Sequence, residues 1–152
     1  MRFNLGNDNW TEAVTDIAPI ELLVDATTND SDKTFTVPDG EMWKLNYVFT
    51  TLTTSAAAGN RQMVVDVADA SGTGLWGISA GAVQAASLTR RYSYVPGTSR
   101  EAAFVNTEIQ VPIPENSFIP GGGTIRVYDS AAIAAAADDM IVSISAKVYK
   151  GV

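Results

Sequence analysis

Residues 41–69 constrain this chain more than any other stretch. Trp43, Leu45, Tyr47 and Phe49 put a large apolar side chain at every second position, with Lys44 and Asn46 between them. Successive side chains of a strand point to opposite faces, so this spacing predicts a strand with one buried and one wet face. After Ser55-Ala56-Ala57-Ala58-Gly59 the pattern resumes, with Met63, Val65 and Val67 in phase. Two alternating runs joined by small residues read as an antiparallel hairpin. Upstream, Val37-Pro38-Asp39-Gly40 is a turn, where Pro38 presets φ and Gly40 tolerates a positive one. These residues commit the middle of the chain to β structure and name no chemistry.

The flanking sequence repeats the same pattern. Ile20-Glu21-Leu22-Leu23-Val24-Asp25 predicts the first strand and Thr34-Phe35-Thr36-Val37 a short second one. Leu75-Trp76-Gly77-Ile78 follows an Asp69-to-Gly74 turn, and residues 88–95 alternate until Pro96-Gly97 stops them. Residues 102–113 predict a strand closed by Pro112 and Pro114, since proline cannot donate to a central ladder. Residues 118–123 read as a loop entering a strand at 124–128. Residues 80–86 suit a helical turn or a closely packed loop. The alanine run 131–137 favours helix by composition but is too short to stand alone. Met140, Val142, Ile144, Ala146 and Val148 form the last strand, alternating with Ser143, Ser145 and Lys147. Eight to ten short strands without a firm helix, in a chain of 152 residues, predict one all-β domain with its own core. The expected architecture is a jelly-roll-like β-sandwich of two packed four-stranded antiparallel sheets, with an immunoglobulin-like sandwich second.

Residues 1–18 differ from the sandwich domain expected over 19–152. Their large apolar residues, Phe3, Leu5, Trp10, Val14 and Ile17, are irregularly spaced around a turn-forming Asn7-Asp8-Asn9. One reading is a terminus that folds back on its own domain. The other is an extended arm that reaches a neighbouring subunit through those five residues, anchored by Trp10, because buried aromatics dominate interface energies.

Composition removes whole classes of chemistry. There is no cysteine, hence no disulfide or thiolate, and no histidine, hence no triad centre and none of the commonest metal ligand. The net charge of −7, with basic residues scattered, argues against nucleic acid as a partner. No apolar run is long enough for a membrane span, and the first eight residues lack the core of a secretory signal, so cytosolic synthesis is expected. Asn29-Asp30-Ser31-Asp32 gathers oxygen donors but lacks the glycine and distal glutamate of a calcium loop, and reads as a solvated turn. Asp138-Asp139 lacks companion ligands and reads as a turn cap. Arg90-Arg91 points to opposite faces of a strand and reads as surface salt-bridging. Glu21, Glu41, Glu101, Glu108 and Glu115 offer carboxylates for glycoside cleavage only if the fold gathers them. Trp43, Trp76 and Phe49 are assigned to the core, which leaves Trp10, Tyr92 and Tyr94 for stacking on a sugar. The expectation is a protein without enzymatic activity or cofactor.

Several segments together resemble a group of small proteins of tailed bacteriophages. They are Val37-Pro38-Asp39-Gly40 leading to Trp43, Gly59-Asn60-Arg61-Gln62, Leu75-Trp76, Ala82-Val83-Gln84-Ala85-Ala86 and Pro112-Ile113-Pro114, with Ile125-Arg126-Val127, Asp129-Ser130-Ala131 and Asp138-Asp139 completing the set. The resemblance covers residues 35–148 and rests on turns and core positions. It implies a structural virion component, a jelly-roll decoration (cement) protein on the capsid exterior that binds the major capsid protein as a homo-oligomer, dimer or trimer. The alternative it implies is a receptor- or glycan-binding domain of a tail or head fibre.

Overall fold

The structure, a computed structural model, describes residues 19–27, 32–131, 133 and 137–151. The alternating runs fold into ten strands: β1 Ile20–Asp25, β2 Lys33–Thr36, β3 Glu41–Thr53, β4 Met63–Ala68, β5 Gly74–Ser79, β6 Thr89–Pro96, β7 Glu108–Ile113, β8 Phe118–Pro120, β9 Thr124–Asp129 and β10 Asp139–Lys150. They form a six-stranded sheet ordered β1-β10-β3-β6-β7, with β8 also paired to β3, and a four-stranded sheet ordered β2-β9-β4-β5. No helix occurs among the described residues. The inner faces of the two sheets enclose one core, including Trp43, Leu45, Val48 and Leu52 of β3, Met63, Val65 and Val67 of β4, and Met140, Val142 and Ile144 of β10. Each fully buried aliphatic side chain contributes about 1.5–3 kcal/mol relative to exposure, which makes this layer the main source of stability.

Three expectations are corrected here. Residues 41–69 are not a hairpin, because β3 and β4 lie in different sheets. Hairpin loops are usually two to five residues long, whereas residues 54–62 are enough to cross the roughly 10 Å between packed sheets. Phe49 is not in the core, since 43% of its surface is exposed. The cause is a β-bulge: Tyr47 opposes Ser145 and Leu45 opposes Ala146, leaving Asn46 as the extra residue. A bulge adds one residue and so exchanges the two faces of the strand beyond it. Trp43 and Leu45 point inward before the bulge, Val48 and Leu52 after it, and Tyr47 and Phe49 turn outward. The partner β10 keeps a single phase throughout, as its sequence predicts.

The third correction concerns residues 102–120. The strand begins only at Glu108 and runs parallel to β6, so the six-stranded sheet is mixed rather than wholly antiparallel. Pro112 lies within β7, opposite Val95, and is tolerated because β7 is an edge strand. Phe118-Ile119-Pro120, expected as loop, is a short strand against β3. Several turns follow the sequence closely: Gly40 has φ 77° after Pro38-Asp39, and Gly97 has φ 71° after β6. Residues 80–88 are a loop, bridged to the crossover by Arg61 and Gln84.

Candidate interaction face

An antiparallel sheet packed on one side normally turns polar side chains to water on the other. The four-stranded sheet obeys this rule. On its outer face the Arg126 Nε donates to Asp32 Oδ2 at 2.6 Å, the guanidinium lies 4.0 Å from the Tyr128 ring centroid, and the Tyr128 hydroxyl donates to Asp66 Oδ2 at 2.7 Å. That bond to a carboxylate, more than burial, raises the Tyr128 hydroxyl pKa. Beside it an open groove is lined by Asp66, Gly72, Gly74, Trp76 and Arg126. Its polar groups already satisfy one another.

The six-stranded sheet breaks the rule. Along edge strand β1 the outward residues are Ile20, Leu22 and Val24, exposed by 64%, 61% and 58%. They stand opposite Lys147, Ser145 and Ser143 of β10. Across β10, Ser145 and Ser143 face Tyr47 and Phe49 of β3, whose rings stack at 4.3 Å and 16°. Two apolar ridges therefore flank a line of serines. Ser145 is itself buried and accepts a hydrogen bond from Asn46 Nδ2 at 3.1 Å. At one end of the face Phe118 packs against Tyr149 at 5.9 Å, with Lys44 Nζ 5.7 Å from the Phe118 ring. At the other end Ile141 is exposed, and Arg91 pairs with Glu108 at 3.1 Å.

The bulge and the outward phase of Ile20, Leu22 and Val24 in β1 make this surface. Without Asn46 the Tyr47 and Phe49 rings would enter the core. In β1 the alternation sets Leu23 against the core and leaves Ile20, Leu22 and Val24 on the outer face.

Polar groups inside the sandwich cluster at one end of it. Arg61 bridges Asp138 with both nitrogens, Nε to Oδ2 at 2.7 Å and Nη2 to Oδ1 at 3.1 Å, and both side chains are fully buried. Nη1 donates to the Ala57 and Gly59 carbonyls, and the Ser55 amide donates to Asp138 at 2.6 Å. Alongside, Gln84 donates to the Leu52 and Leu88 carbonyls and accepts from the Tyr92 hydroxyl at 2.8 Å. Arg61 and Gln84 also exchange backbone hydrogen bonds at 2.8 Å. This network ties the β3–β4 crossover to the loop after β5 and to the start of β10. Burial raises the Asp138 pKa, but the hydrogen bonds from Arg61 and Ser55 outweigh it and hold the carboxyl below its ordinary value. A depressed folded-state pKa stabilises above the unfolded value near 3.9 and loses that stabilisation as pH falls through the folded value. The chain is thus expected to lose stability below about pH 4, and Asp138→Asn to flatten that acid limb in urea titrations read by Trp fluorescence.

The fold separates the residues singled out in the sequence. Phe3, Leu5, Trp10, Val14 and Ile17, and the arm they define, lie outside the described residues, as do Asn29, Asp30 and Ser31. Asp32 is engaged by Arg126. Tyr92 and Tyr94, considered for sugar stacking, are core residues at 1% and 0% exposure, and burial pushes both hydroxyls well above their usual pKa. Trp43 is buried as expected, and Trp76, half-buried, packs against the core and donates to Ser117. Of the arginine pair, Arg91 makes a surface ion pair, but Arg90 donates to the Asn106 carbonyl and lies over the Phe104 ring. Glu101 and Glu108 line one depression, yet Glu101 accepts the Gln110 amide and Glu108 is held by Arg91. Among the described residues no three acidic side chains gather as a metal would require. No protein-family model matches the chain, and neither does any curated protein or solved structure.

Proposed function

We propose that this chain is a structural virion protein, a jelly-roll decoration protein that binds the exterior of a phage head and reinforces the junctions between its capsomers. The observation that carries the reading is the broad apolar outer face on an otherwise acidic sandwich. Contiguous apolar surface of this extent marks an interaction site. A net charge of −7 keeps the remaining surface soluble and unattractive to nucleic acid. The jelly-roll assignment is supported by the strand pairing once β7 and β8 are set aside. β1 pairs with β10, β2 with β9, β3 with β6 and β4 with β5, all antiparallel. That is the pattern of one long hairpin of eight strands rolled into two sheets, an architecture common among capsid proteins.

The main partner would be the major capsid protein, bound on its outer surface through an interface of about 1,200–2,000 Å² in total. Residues 1–18 are proposed to contribute to that attachment, since Pro19, whose carbonyl accepts from the Val148 amide, stands next to the exposed Ile20 of the apolar face. Purified chain added to heads that lack it is expected to rebind in saturable stoichiometry and to raise their resistance to heat and osmotic shock. Absence of rebinding, together with retention on a glycan array, would reassign it to a receptor-binding fibre or tail domain.

A further inference from the structure

We infer that β1 is a docking edge, which takes an extended segment of a partner protein as a further antiparallel strand, its apolar residues interrupted by basic ones. The recognition lies in main-chain groups at the margin of the sheet, not in its outer face. It does not depend on the partner being a capsid.

The phase of the β1–β10 ladder decides which main-chain groups are free. The Val148 amide donates to the Pro19 carbonyl at 2.9 Å, and the same register sets Glu21 opposite Ala146 and Leu23 opposite Ile144. In an antiparallel ladder, pairs that exchange hydrogen bonds alternate with pairs that do not. Pro19, Glu21, Leu23 and Asp25 therefore turn their main-chain groups to β10. Ile20, Leu22 and Val24 turn theirs away from it, and those groups have no hydrogen-bond partner among the described residues.

Sheet edges invite further strands, and the other three edges are closed by devices that β1 lacks. In β7 the amide and carbonyl of Glu108 are both taken by Val105. Those of Gln110 are taken by the Glu101 carboxylate and amide, and Pro112 has no N–H. Edge β5 carries a bulge at Leu75, and its Ser79 carbonyl accepts from Arg100. Edge β2 is only four residues long, turns Lys33 inward and runs into Pro38. By contrast, β1 holds six residues in one register without proline, glycine or bulge.

The free groups name the occupant. They repeat about every 7 Å along a line, which is the repeat of another extended chain. The side chains of β1 then set its composition, because cross-strand neighbours on one face interact directly. Ile20, Leu22 and Val24 favour apolar residues opposite them. Glu21 is exposed and has no ion pair among the described residues, and Asp25 lies 3.6 Å from Lys33. Both favour Lys or Arg opposite and repel an acidic strand. A second copy of β1 brings no basic residue to the pairing, and residues 1–18 set Arg2 against Asp8, Glu12 and Asp16. A basic partner segment fits better than either.

The probe is the capped peptide Lys-Val-Val-Val-Lys-Val, which in the antiparallel sense places its lysines opposite Asp25 and Glu21. In the full chain the Ile20, Leu22 and Val24 amides should exchange fast by NMR, at a rate independent of chain concentration. About 1 mM peptide should slow them several-fold, whereas Glu21, Leu23 and Asp25 should be slow throughout. A peptide N-methylated at the residues opposite Ile20, Leu22 and Val24 should not protect, nor should one with Glu in place of Lys. Leu22→Pro removes an N–H that faces away from β10, so its melting temperature should stay near the parent's while peptide affinity falls at least tenfold. Leu22→Val should bind as the parent does. No protection by the first peptide, or equal protection by the methylated one, overturns the added strand. Equal protection by the Glu peptide overturns the basic partner. Amides already slow in the chain alone overturn it too, by residues 1–18 if their deletion frees the edge and by a second copy if dilution does. Heads that take up the chain although the peptide does not protect would leave the capsid reading standing. Protection without uptake by heads would leave the docking edge standing, so the two fail separately.

Discussion

Arg61→Ala is expected to cost about 3–5 kcal/mol of folding stability, because it removes one partner of a buried ion pair and strands the other. For a domain of this size such a loss lowers Tm by about 10 °C or more. The guanidinium is fully buried and spends its donors on Asp138, Ala57, Gly59 and Ser55. Alanine would leave the Asp138 charge without its counter-ion and two carbonyls without their donor. The double substitution Arg61→Met with Asp138→Leu separates these contributions. It removes the unpaired charge, so it should recover part of the loss. It also leaves the Ser55 amide and the two carbonyls unsatisfied, at about 1–3 kcal/mol for each group that water does not reach, so recovery should be incomplete. Calorimetry of the three proteins measures both effects. A melting temperature for Arg61→Ala within 2–3 °C of the parent would mean that water reaches the pair, contrary to its burial here.

What the sequence discloses divides along a physical line. β10 is legible to the residue, because a central strand packed on one side has its phase dictated by the core. β3 is half legible. Trp43 and Leu45 declare one phase and Val48 and Leu52 the other, and only the mismatch between Trp43 and Leu52 hints at a bulge. Its site at Asn46 is fixed by the pairing with β10, which local sequence does not contain. The supposed hairpin fails for a similar reason. Small residues at 55–59 look like a turn, but the course of the crossover is fixed by Arg61 reaching Asp138, 77 positions away. A buried arginine gives no signal of its own, since arginine is usually exposed. The interaction face is the least legible part. Ile20, Leu22 and Val24 carry the mark of a buried strand, and burial inside one chain cannot be told from burial between chains by alternation alone.

Gly81→Ala is expected to destabilise the chain by about 3 kcal/mol, at the upper end for overpacking, although Gly81 sits at no special backbone angle. A Cβ there would lie 1.9 Å from the Glu101 carbonyl oxygen and 3.0 Å from its carbon. Both are backbone atoms, and the two segments are held from behind. The Ala80 amide donates to the Met63 carbonyl, the Glu101 amide donates to the Gln110 carbonyl, and Arg100 donates to the Ser79 carbonyl. Gly77 provides the contrast. Its added Cβ would meet Asp66 Oδ1 at 2.2 Å, the end of a side chain that can swing aside. That movement gives up the Tyr128 hydrogen bond, so Gly77→Ala should cost about 1 kcal/mol. Urea unfolding at constant m-value ranks the two, and an equal or reversed order would mean that the Glu101 segment yields freely. Residues 97–107 are also the connection that returns the chain so that β7 can run parallel to β6. Displacing them should loosen β7 first, raising hydrogen exchange at the Ile109 and Val111 amides before those of β3 and β10, and fraying the polar margin of the interaction face while its aliphatic margin on β1 stays in place.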